Sequence, residues 1–379
     1  MELEQLLPAI SGMTCQHLIM IGVGVTLIYL AIAKKYEPTL LLPMGFGAIL
    51  VNIPLSSAIT QIDPATGEAL EGVLNIFFDA GIATEIFPLL IFIAIGAMID
   101  FSSLFRNPSL LLFGAAAQFG IFMTMVLAAL LGYDIREAAS IGIIGAADGP
   151  TSIVVASRFA PHMLGPISVA AYSYMALVPI IQPPVIKLLT SRKERLIRMK
   201  TDANRQISKK ALIAFPIVIT ITAGLIAPSS LALVGFLMFG NLIRECGVLN
   251  KLSLSAQNEL SSLVTILLGI TIASTMTADR FIRVDTLIII GLGLFAFVFD
   301  TFGGVIFAKF LNIFRKEDNK INPMIGACGI SAFPMSARVI HQMGQKEDPY
   351  NYLLMPAISA NVGGQIGSVV AGGIILTLV

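Results

Sequence analysis

Long apolar stretches separated by short polar segments fill most of the chain from about residue 18 onward. An α-helix needs about 20 apolar residues to cross a bilayer core, so the pattern predicts membrane-spanning helices. The pattern therefore indicates an all-α integral membrane protein with about ten spanning helices. We place the spans at 18–33, 39–54, 85–100, 109–132, 165–190, 211–228, 229–245, 259–275, 285–311 and 353–379.

Two further apolar stretches are interrupted by polar and helix-breaking residues. Residues 139–157 contain Asp148, Gly149 and Pro150 in succession, and residues 323–342 contain the sequence CGISAFPMSAR. Irregular backbone at membrane depth is tolerated where it lies inside the protein or lines a cavity. We predict that each stretch forms a broken, re-entrant hairpin that enters and leaves the membrane on the same side.

Lysine and arginine residues in short loops indicate the orientation, because such loops are retained in the cytoplasm. Residues 191–210 form the most basic segment, whereas the loop at 55–84 has acidic residues but no Lys or Arg. We therefore place residues 191–210 in the cytoplasm and the loop at 55–84 outside. These two placements agree only if both hairpins re-enter, the first from outside and the second from the cytoplasm. The chain then divides into two repeats of inverted topology, 1–190 and 211–379, joined by a basic cytoplasmic linker, 191–210.

A weak internal similarity supports this division. The first hairpin contains IGAADGPTSIVVASR and the second contains IGACGISAFPMSAR, which share their opening and closing residues. Inverted-repeat transporters bind their ions near the bilayer midplane, where broken helices leave carbonyls and helix ends free. The two hairpins are therefore the predicted site of chemistry.

Composition narrows the class of protein further. Hydrophobic residues make up 56% of the chain and charged residues only 12%, which is far from a soluble domain. A net charge of +1 gives no basic field for nucleic acid, and the chain contains no P-loop for ATP. Cys15, Cys246 and Cys328 are scattered and predict neither a disulfide framework nor a zinc site. The first ten residues lack a basic region, so we expect no cleaved signal peptide.

Asp148 is the strongest candidate for chemistry, because an ionisable side chain at membrane depth usually faces a partner, an ion or water. Gly149 and Pro150 interrupt the helix at the same depth, and Thr151 and Ser152 add two hydroxyls. Carboxylate, carbonyl and hydroxyl oxygens suit a small alkali cation or a proton. The structural alternative is that Asp148 only caps the helix that follows it.

Other polar residues in apolar segments also have both a functional and a structural interpretation. Arg338 has the donor geometry for an anionic carboxylate, or it extends to the interface from a helix end. Asn322 and Asn361 offer amide oxygens to an ion, or they bond across helices. Tyr174 could donate a proton, and one of Tyr174 and its neighbour Tyr172 is expected only to pack.

Three more features complete the prediction. Asp300 is a second acid within an apolar span and receives the same functional expectation as Asp148. The glycine-rich run 363–373 predicts close helix packing rather than ion chemistry. The basic linker is expected to contact anionic membrane lipid.

Several sequence blocks resemble the beta subunits of the sodium-pumping, biotin-dependent decarboxylases. They are LLPMGFGAILVNIP, IFPLLIFIAIGAMIDF, GAADGPTSIVVAS, NPMIGACGISAFPMSARV and SANVGGQIGS, and they follow in order along nearly the whole chain. The resemblance implies a subunit that decarboxylates carboxybiotin and couples CO2 release to sodium export, with consumption of a proton. It implies catalytic roles for Asp148, Tyr174 and Arg338, contact of Arg338 with the carboxybiotin carboxylate, and sodium ligation by Asp148, Asn322, Gly326, Ser331 and Asn361.

The same resemblance implies partners and a location. The partners are a carboxyltransferase alpha subunit, a biotin carrier protein or domain, a small membrane gamma-type subunit and further copies of the beta subunit, all at the bacterial inner membrane. Sodium and the carrier's biotin are the implied cofactors, since this chain has no Met-Lys-Met biotinylation signature. Oxaloacetate is the expected acid among those that such complexes use. The residues alone also fit a stand-alone cation-coupled transporter, either a carboxylate carrier or a sodium/proton antiporter.

Overall fold

Helices account for nearly all regular structure in the computed structural model, which describes residues 8–35, 38–62, 66–199, 207–226, 228–333 and 335–379. The predicted all-α class is confirmed. The first part of the chain contains α1 (Pro8–Ser11), α2 (Cys15–Ala33), α3 (Pro38–Val51), the antiparallel strands β1 (Gln61–Ile62) and β2 (Ala69–Leu70), α4 (Val73–Phe77), α5 (Ile86–Met98), α6 (Ser102–Arg106), α7 (Leu112–Ala117), α8 (Phe119–Leu130), α9 (Ile135–Gly142), α10 (Gly149–Phe159) and α11 (Leu164–Leu189).

Every regular element in the described residues of the second part of the chain is a helix. It contains α12 (Arg192–Arg195), α13 (Lys209–Ile226), α14 (Leu231–Glu245), α15 (Asn250–Ser255), α16 (Ser261–Ile272), α17 (Ala278–Phe281), α18 (Val284–Ile313), α19 (Met335–Glu347) and α20 (Leu354–Leu378). Short 3-10 segments at Pro108–Leu111, Ile143–Ala146, Pro161–Met163, Pro228–Ser230, Ala273–Thr275, Glu317–Asn319 and Pro323–Gly329, and π-helical turns at Phe78–Ala83 and Ala256–Leu260, join these helices.

Five helical stretches in the described part of the chain are long and apolar enough to cross a membrane, or seven if two bent pairs each form one span. A helix lies at each of the ten predicted spans, but α3, α13 and α14 are not among these stretches. The structure is therefore that of a multi-pass membrane protein, and the count of ten spans stays a prediction. The bend in α11 is 66° between Met175 and Leu177, which fits the missing hydrogen bond one turn before Pro179.

The first interrupted stretch folds as two helices joined at a sharp break. After α9, the chain passes through a 3-10 turn to Ala147, whose backbone is left-handed with a φ of 51°. Asp148 then caps α10, and Pro150 lies in the first turn of that helix, where its missing N–H costs nothing. At the other end, His162 lies 3.1 Å from Glu137. The two ends of this segment are therefore close together, as expected for a hairpin.

The second interrupted stretch is anchored to the segment that follows α11. Asn322 caps the 3-10 segment Pro323–Gly329, and its amide donates to the carbonyl oxygens of Arg195 and Ile197 at 2.8 and 2.9 Å. At the far end of α19, Glu347 pairs with the Arg195 guanidinium at 2.7 Å. Both ends of this segment therefore contact residues 195–197.

Two more ion pairs attach the 191–199 segment to the helices. Arg198 lies 2.7 Å from Asp348, and its hydrogen bond lowers the pKa of the Asp348 carboxyl. Lys309 lies 3.1 Å from Glu194. Burial would raise the pKa of Glu194, but hydrogen bonds from the Ser191 backbone and from Lys309 outweigh it and lower that pKa. Both carboxylates are therefore charged at neutral pH, which keeps this segment attached.

Two buried asparagines make matching contacts between the first and second parts of the chain. At the end of α3, the Asn52 amide donates to Met276 O at 2.8 Å, just beyond α16. Near the end of α14, the Asn241 amide donates to Ile99 O at 3.0 Å, just beyond α5. The α3–α16 and α5–α14 crossings are therefore closed by the same kind of contact.

The α5–α14 crossing depends on glycine. A Cβ added at Gly96 would overlap the carbonyl oxygen of Leu237, whereas one added at Gly291 meets no atom within 4 Å in the described chain. We expect Gly96→Ala to force the helices apart and to destabilise the protein by about 1–3 kcal/mol, as overpacking usually does. The melting temperature in detergent should fall for Gly96→Ala and stay the same or rise slightly for Gly291→Ala, because alanine is the better helix former. Equal melting temperatures would contradict the close approach.

Candidate functional site

The tips of the two broken segments touch at the centre of the protein. Ser331 N–H, just after the second 3-10 segment, donates to Ala146 O, just before Asp148, at 2.9 Å. Helix α20 supports this junction, since the Asn361 amide donates to Ile330 O at 2.7 Å and the Gln365 amide donates to Ser331 O. The packing of three separate chain segments thus fixes the position of Asp148.

The Asp148 carboxylate is buried, with 3% of the residue exposed, and is held by hydroxyl groups. Oδ2 accepts hydrogen bonds from Ser368 Oγ at 2.7 Å and from Ser331 Oγ at 3.1 Å. Oδ1 accepts from the backbone N–H of Thr151 at 3.3 Å, which is the helix-capping contact. Asp148 therefore caps α10 and also lies in a polar cluster contributed by both broken segments and by α20.

Two buried amide oxygens of α20 at this junction have no donor among the described residues. Asn361 Oδ1 and Gln365 Oε1 lack a hydrogen-bond partner among the described residues, although both amide nitrogens are bonded. A buried acceptor without a donor costs free energy, so such atoms usually mark a missing water or ion. One carboxylate with neutral amide and hydroxyl oxygens is a donor set that suits a hard monovalent or divalent cation.

A cavity of about 260 Å³ adjoins the carboxylate. Asp148, Ser331 and Gln365 form its polar end, and Tyr172 covers Gly149 along one wall. The cavity extends to the ends of α3, α5 and α16. Its remaining lining includes Thr39, Leu40, Ile91, Ile95, Met98, Ala147, Pro150, Met175, Ser261, Thr265 and Phe333.

The cavity extends toward the end of the helices that carries the basic segments. Met98, in its lining, accepts a hydrogen bond from Arg244 at 2.8 Å. Gly247, just beyond α14, packs against Lys209, near the end of the basic linker. The cavity therefore leads from the Asp148 cluster toward the end of the protein at which Arg244 and Lys209 lie, the end that the lysine and arginine rule predicts to be cytoplasmic.

The structure brings three of the predicted site residues together and places Tyr174 against α18, outside the cavity. Asp148, Ser331 and Asn361 meet at the junction, whereas the Tyr174 hydroxyl donates to the carbonyl oxygen of Ile290 in α18. The Tyr174 ring stacks on Phe297 at a centroid distance of 6.5 Å. Of the two tyrosines weighed from sequence, Tyr172 lines the cavity and Tyr174 packs outside it.

The remaining predicted ligands also lie outside the Asp148 cluster. Asn322 uses its amide on the 191–199 segment and its oxygen on Met324 N–H, at 3.1 Å. Gly326 packs directly against Gly304 of α18, and a Cβ at either position would overlap the facing backbone. Arg338 lies in α19 with an exposed side chain and has no ion pair with another described residue.

Sequence reasoning missed Gln365 and Ser368. Both lie in the glycine-rich run 363–373, which was interpreted as packing alone. Close packing is confirmed, because a Cβ at Gly364 would overlap the backbone of Ile330. The signal was that Asn361, Gln365 and Ser368 follow at helical spacing, which places three polar groups on one face of α20.

Asp300 is buried and serves a different element. Its Oδ1 accepts a hydrogen bond from the backbone N–H of Ile121 at 3.2 Å, at the start of α8. The helix is interrupted between α7 and α8, so this N–H has no partner within the helix. Asp300 is therefore a helix-capping acid packed against Gly145 and is absent from the cavity lining.

Together these features define a multi-pass helical membrane protein whose buried polar site lies where two broken segments meet. Comparison with known proteins identifies the family. The family described as Na+-transporting oxaloacetate decarboxylase beta subunit matches residues 16–379, and the chain belongs to this family. The family resemblance seen in the sequence is thereby confirmed.

Relatives named for three different acids match at similar levels. The chain is 49% identical to methylmalonyl-CoA decarboxylase subunit beta of Propionigenium modestum, covering 97% of this chain and 96% of that protein. It is also 49% identical to glutaconyl-CoA decarboxylase subunit beta of Acidaminococcus fermentans, with 97% and 94% covered. Identity to the oxaloacetate decarboxylase beta chain of Klebsiella pneumoniae is 43%, with 100% and 99% covered.

Proposed function

We propose that this chain is the membrane subunit of a sodium-translocating decarboxylase complex in the bacterial inner membrane. It decarboxylates carboxybiotin presented by a biotin carrier and couples this step to sodium export. Family membership supports the reaction class. The observation that carries the coupling is the buried Asp148 carboxylate at the end of a cavity, at a junction where two buried amide oxygens of α20 have no donor among the described residues. We place the other end of this cavity toward the cytoplasm.

The fold that we propose is two inverted repeats of five spans, each with one re-entrant hairpin. The matching Asn52 and Asn241 contacts support it, since each closes a crossing between a helix of one repeat and a helix of the other. An ion pair closes each hairpin: Glu137 with His162 at the first, and Arg195 with Glu347 at the second. We propose that the two pairs lie at opposite ends of the protein. An inverted repeat places the meeting point of its hairpins near the midplane, which is where an ion must change sides.

Sodium binds at the Asp148 cluster in this proposal. Asp148 supplies the negative charge, Asn361 and Gln365 supply amide oxygens, and Ser331 and Ser368 supply hydroxyls. Asn322 and Gly326, also ligands in the family pattern, contribute here by holding the second hairpin in place. The cytoplasmic cavity then provides the loading path for sodium.

Decarboxylation supplies the driving force and consumes a proton. The bond between the carboxylate carbon and the ureido nitrogen breaks, CO2 leaves, and the electron pair stays on nitrogen, which takes up one proton. In this proposal Asp148, or a water that it holds, passes that proton along the cavity, whose wall includes Tyr172. Tyr174 lies outside the cavity, against α18. A proton on Asp148 removes the charge that holds sodium, so protonation favours release outside.

The partner subunits complete the enzyme. We propose a carboxyltransferase alpha subunit, a biotin carrier and a small gamma-type subunit, with further beta copies. Relatives named for methylmalonyl-CoA, glutaconyl-CoA and oxaloacetate are 49%, 49% and 43% identical to this chain. We propose that the carboxyltransferase selects the acid, and oxaloacetate stays a prediction.

The test is CO2 release from free carboxybiotin by the purified chain in detergent, with and without sodium. We expect release that rises with sodium concentration and saturates. Absence of release at every sodium concentration, together with ion or carboxylate uptake by the chain alone in liposomes, would overturn the proposal in favour of a stand-alone transporter.

A further inference from the structure

A second cavity, of about 510 Å³, lies beyond the end of α16, and we call it the outer cavity. Its lining includes Asn75, Phe78 and Asp79 of the loop at 55–84, and His162 at the end of the first hairpin. The lysine and arginine rule predicts that this loop lies outside the membrane. The other lining residues of the outer cavity are Pro161, Ser274, Thr275, Arg280 and Arg283.

Two helical stretches pass from the outer cavity to the cavity at Asp148. In α16 and the 3-10 turn that follows it, Thr265 lines the Asp148 cavity and Thr275 lines the outer cavity. In α11 and the 3-10 turn that precedes it, Tyr172 lines the Asp148 cavity and His162 lines the outer cavity. The members of each pair are ten residues apart, which is on the order of 15 Å along a helix. The barrier between the two cavities is therefore about three helical turns thick.

The two stretches touch where Gly165 meets Thr275. A Cβ added at Gly165 would lie 2.6 Å from Thr275 Oγ1 and 3.1 Å from Thr275 Cβ. Only a residue without a side chain permits this approach. Gly165 is three residues from His162, and Thr275 itself lines the outer cavity. The contact therefore lies at the outer end of the barrier.

Buried hydroxyl groups follow on the inner side of this contact. Ser168 is three residues beyond Gly165 toward Tyr172, Thr271 is four residues before Thr275, and both are fully buried. Their hydroxyl oxygens have no hydrogen-bond partner among the described residues. A buried hydroxyl without a partner costs free energy, which contact with water or an ion recovers. Opening of the barrier to water would therefore satisfy polar groups that are unsatisfied while it is closed.

We propose that the outer cavity is the chamber through which sodium leaves the protein, and that the Gly165–Thr275 contact is the gate that closes this chamber. This inference rests on the proposed function. Asp148 adjoins its own cavity in this structure, and the closed contact lies between that cavity and the outer cavity. Release then requires α11 and the end of α16 to part, which admits water to Ser168 and Thr271.

The charge of the outer cavity favours release in one direction. Its lining contains two arginines, Arg280 and Arg283, and one carboxylate, Asp79. The lining therefore has a net positive charge, which lowers the local concentration of cations. Sodium that has left the open gate is thus less able to return from outside.

A disulfide across the contact tests the gate. The Cβ atoms in Gly165→Cys/Thr275→Cys need to part by only roughly 0.4 Å to reach the spacing that disulfides have. Free carboxybiotin outside liposomes should drive uptake of radioactive sodium by the reduced variant. We expect an oxidant to abolish this uptake and a reductant to restore it, because a locked gate keeps sodium from leaving. Sodium binding to the oxidised variant in detergent should persist, since Asp148 stays accessible from its own cavity.

The outcomes separate this inference from the proposed function. The wild-type chain and Thr275→Cys cannot form this disulfide and are the controls for the oxidant. A wild-type chain that neither releases CO2 nor moves sodium would overturn the proposed function itself. Wild-type activity with undiminished uptake by the cross-linked variant would overturn the gate alone, as would loss of sodium binding together with transport. Failure of the two thiols to join would contradict the contact.

Gly165→Ala is a second test that needs no oxidant. Its methyl group must displace Thr275, so the gate should close incompletely. Passive efflux of radioactive sodium from loaded liposomes, without carboxybiotin, should rise at least about fivefold, the factor by which the smallest usual overpacking penalty shifts an equilibrium. The matched control is Gly22→Ala, because a Cβ at Gly22 in α2 meets no atom within 4 Å in the described chain. Equal efflux from the two variants would overturn the gate.

Discussion

Asp148→Asn is expected to abolish sodium-stimulated CO2 release from carboxybiotin. The carboxylate is the only negative charge among the oxygens of the cluster, and the substitution keeps its size while removing that charge. Loss of a group that merely supports a metal ligand lowers affinity about 10–100-fold, so loss of the charged ligand should exceed about 100-fold. Sodium-dependent rates of the purified variant, measured up to molar sodium chloride, check this result.

Asp300→Asn is the matched control. It makes the same chemical change at another fully buried aspartate, whose Oδ1 accepts from Ile121 N–H and whose side chain is absent from the cavity. Asparagine retains that acceptor oxygen, so sodium stimulation should persist. Equal loss in both variants would show that burial of a charge, rather than its position in the cluster, determines activity.

The interrupted stretches were predictable because their residues break helices for local reasons. Gly149 and Pro150 follow Asp148 directly, and this triplet at membrane depth has few structural uses. The meeting of Asp148 with Ser331 was also expected, since an inverted repeat brings its two hairpins together. The breaks in the helices therefore followed from local chain chemistry, whereas the inverted repeat stays a prediction.

The contacts of single polar residues were harder to predict, because they depend on which neighbour each helix face meets. Asn322 and Arg338 lie in or beside the second hairpin, yet one holds the 191–199 segment and the other is exposed. Tyr172 and Tyr174 are two residues apart on α11 and therefore point to different sides of the helix. Only the rotation of α11 about its axis determines which tyrosine lines the cavity.

The glycine-rich run of α20 has two functions that sequence alone did not separate. Its glycines permit contact with the backbone of the second hairpin, as at Gly364 against Ile330. That contact brings the intervening polar side chains close to Asp148, where Ser368 donates at 2.7 Å. Packing and site construction are therefore consequences of the same small residues.

This dual role leads to the second large expected effect. Ser368→Ala should raise the sodium concentration for half-maximal CO2 release by about 10–100-fold, as loss of a supporting hydrogen bond does at metal sites. The maximal rate at saturating sodium should change much less, because Asp148 and the hairpin junction remain. A sodium titration of the initial rate separates the two quantities.

Ser359→Ala supplies the comparison within the same helix. Ser359 is equally buried and donates to Ser103 O at 3.0 Å, away from the carboxylate. It should leave sodium half-saturation unchanged while removing the same hydroxyl from α20. The opposite pattern for Ser368→Ala would be a lower maximal rate with unchanged half-saturation. That result would contradict a role in sodium binding and would assign Ser368 to the proton transfer at Asp148.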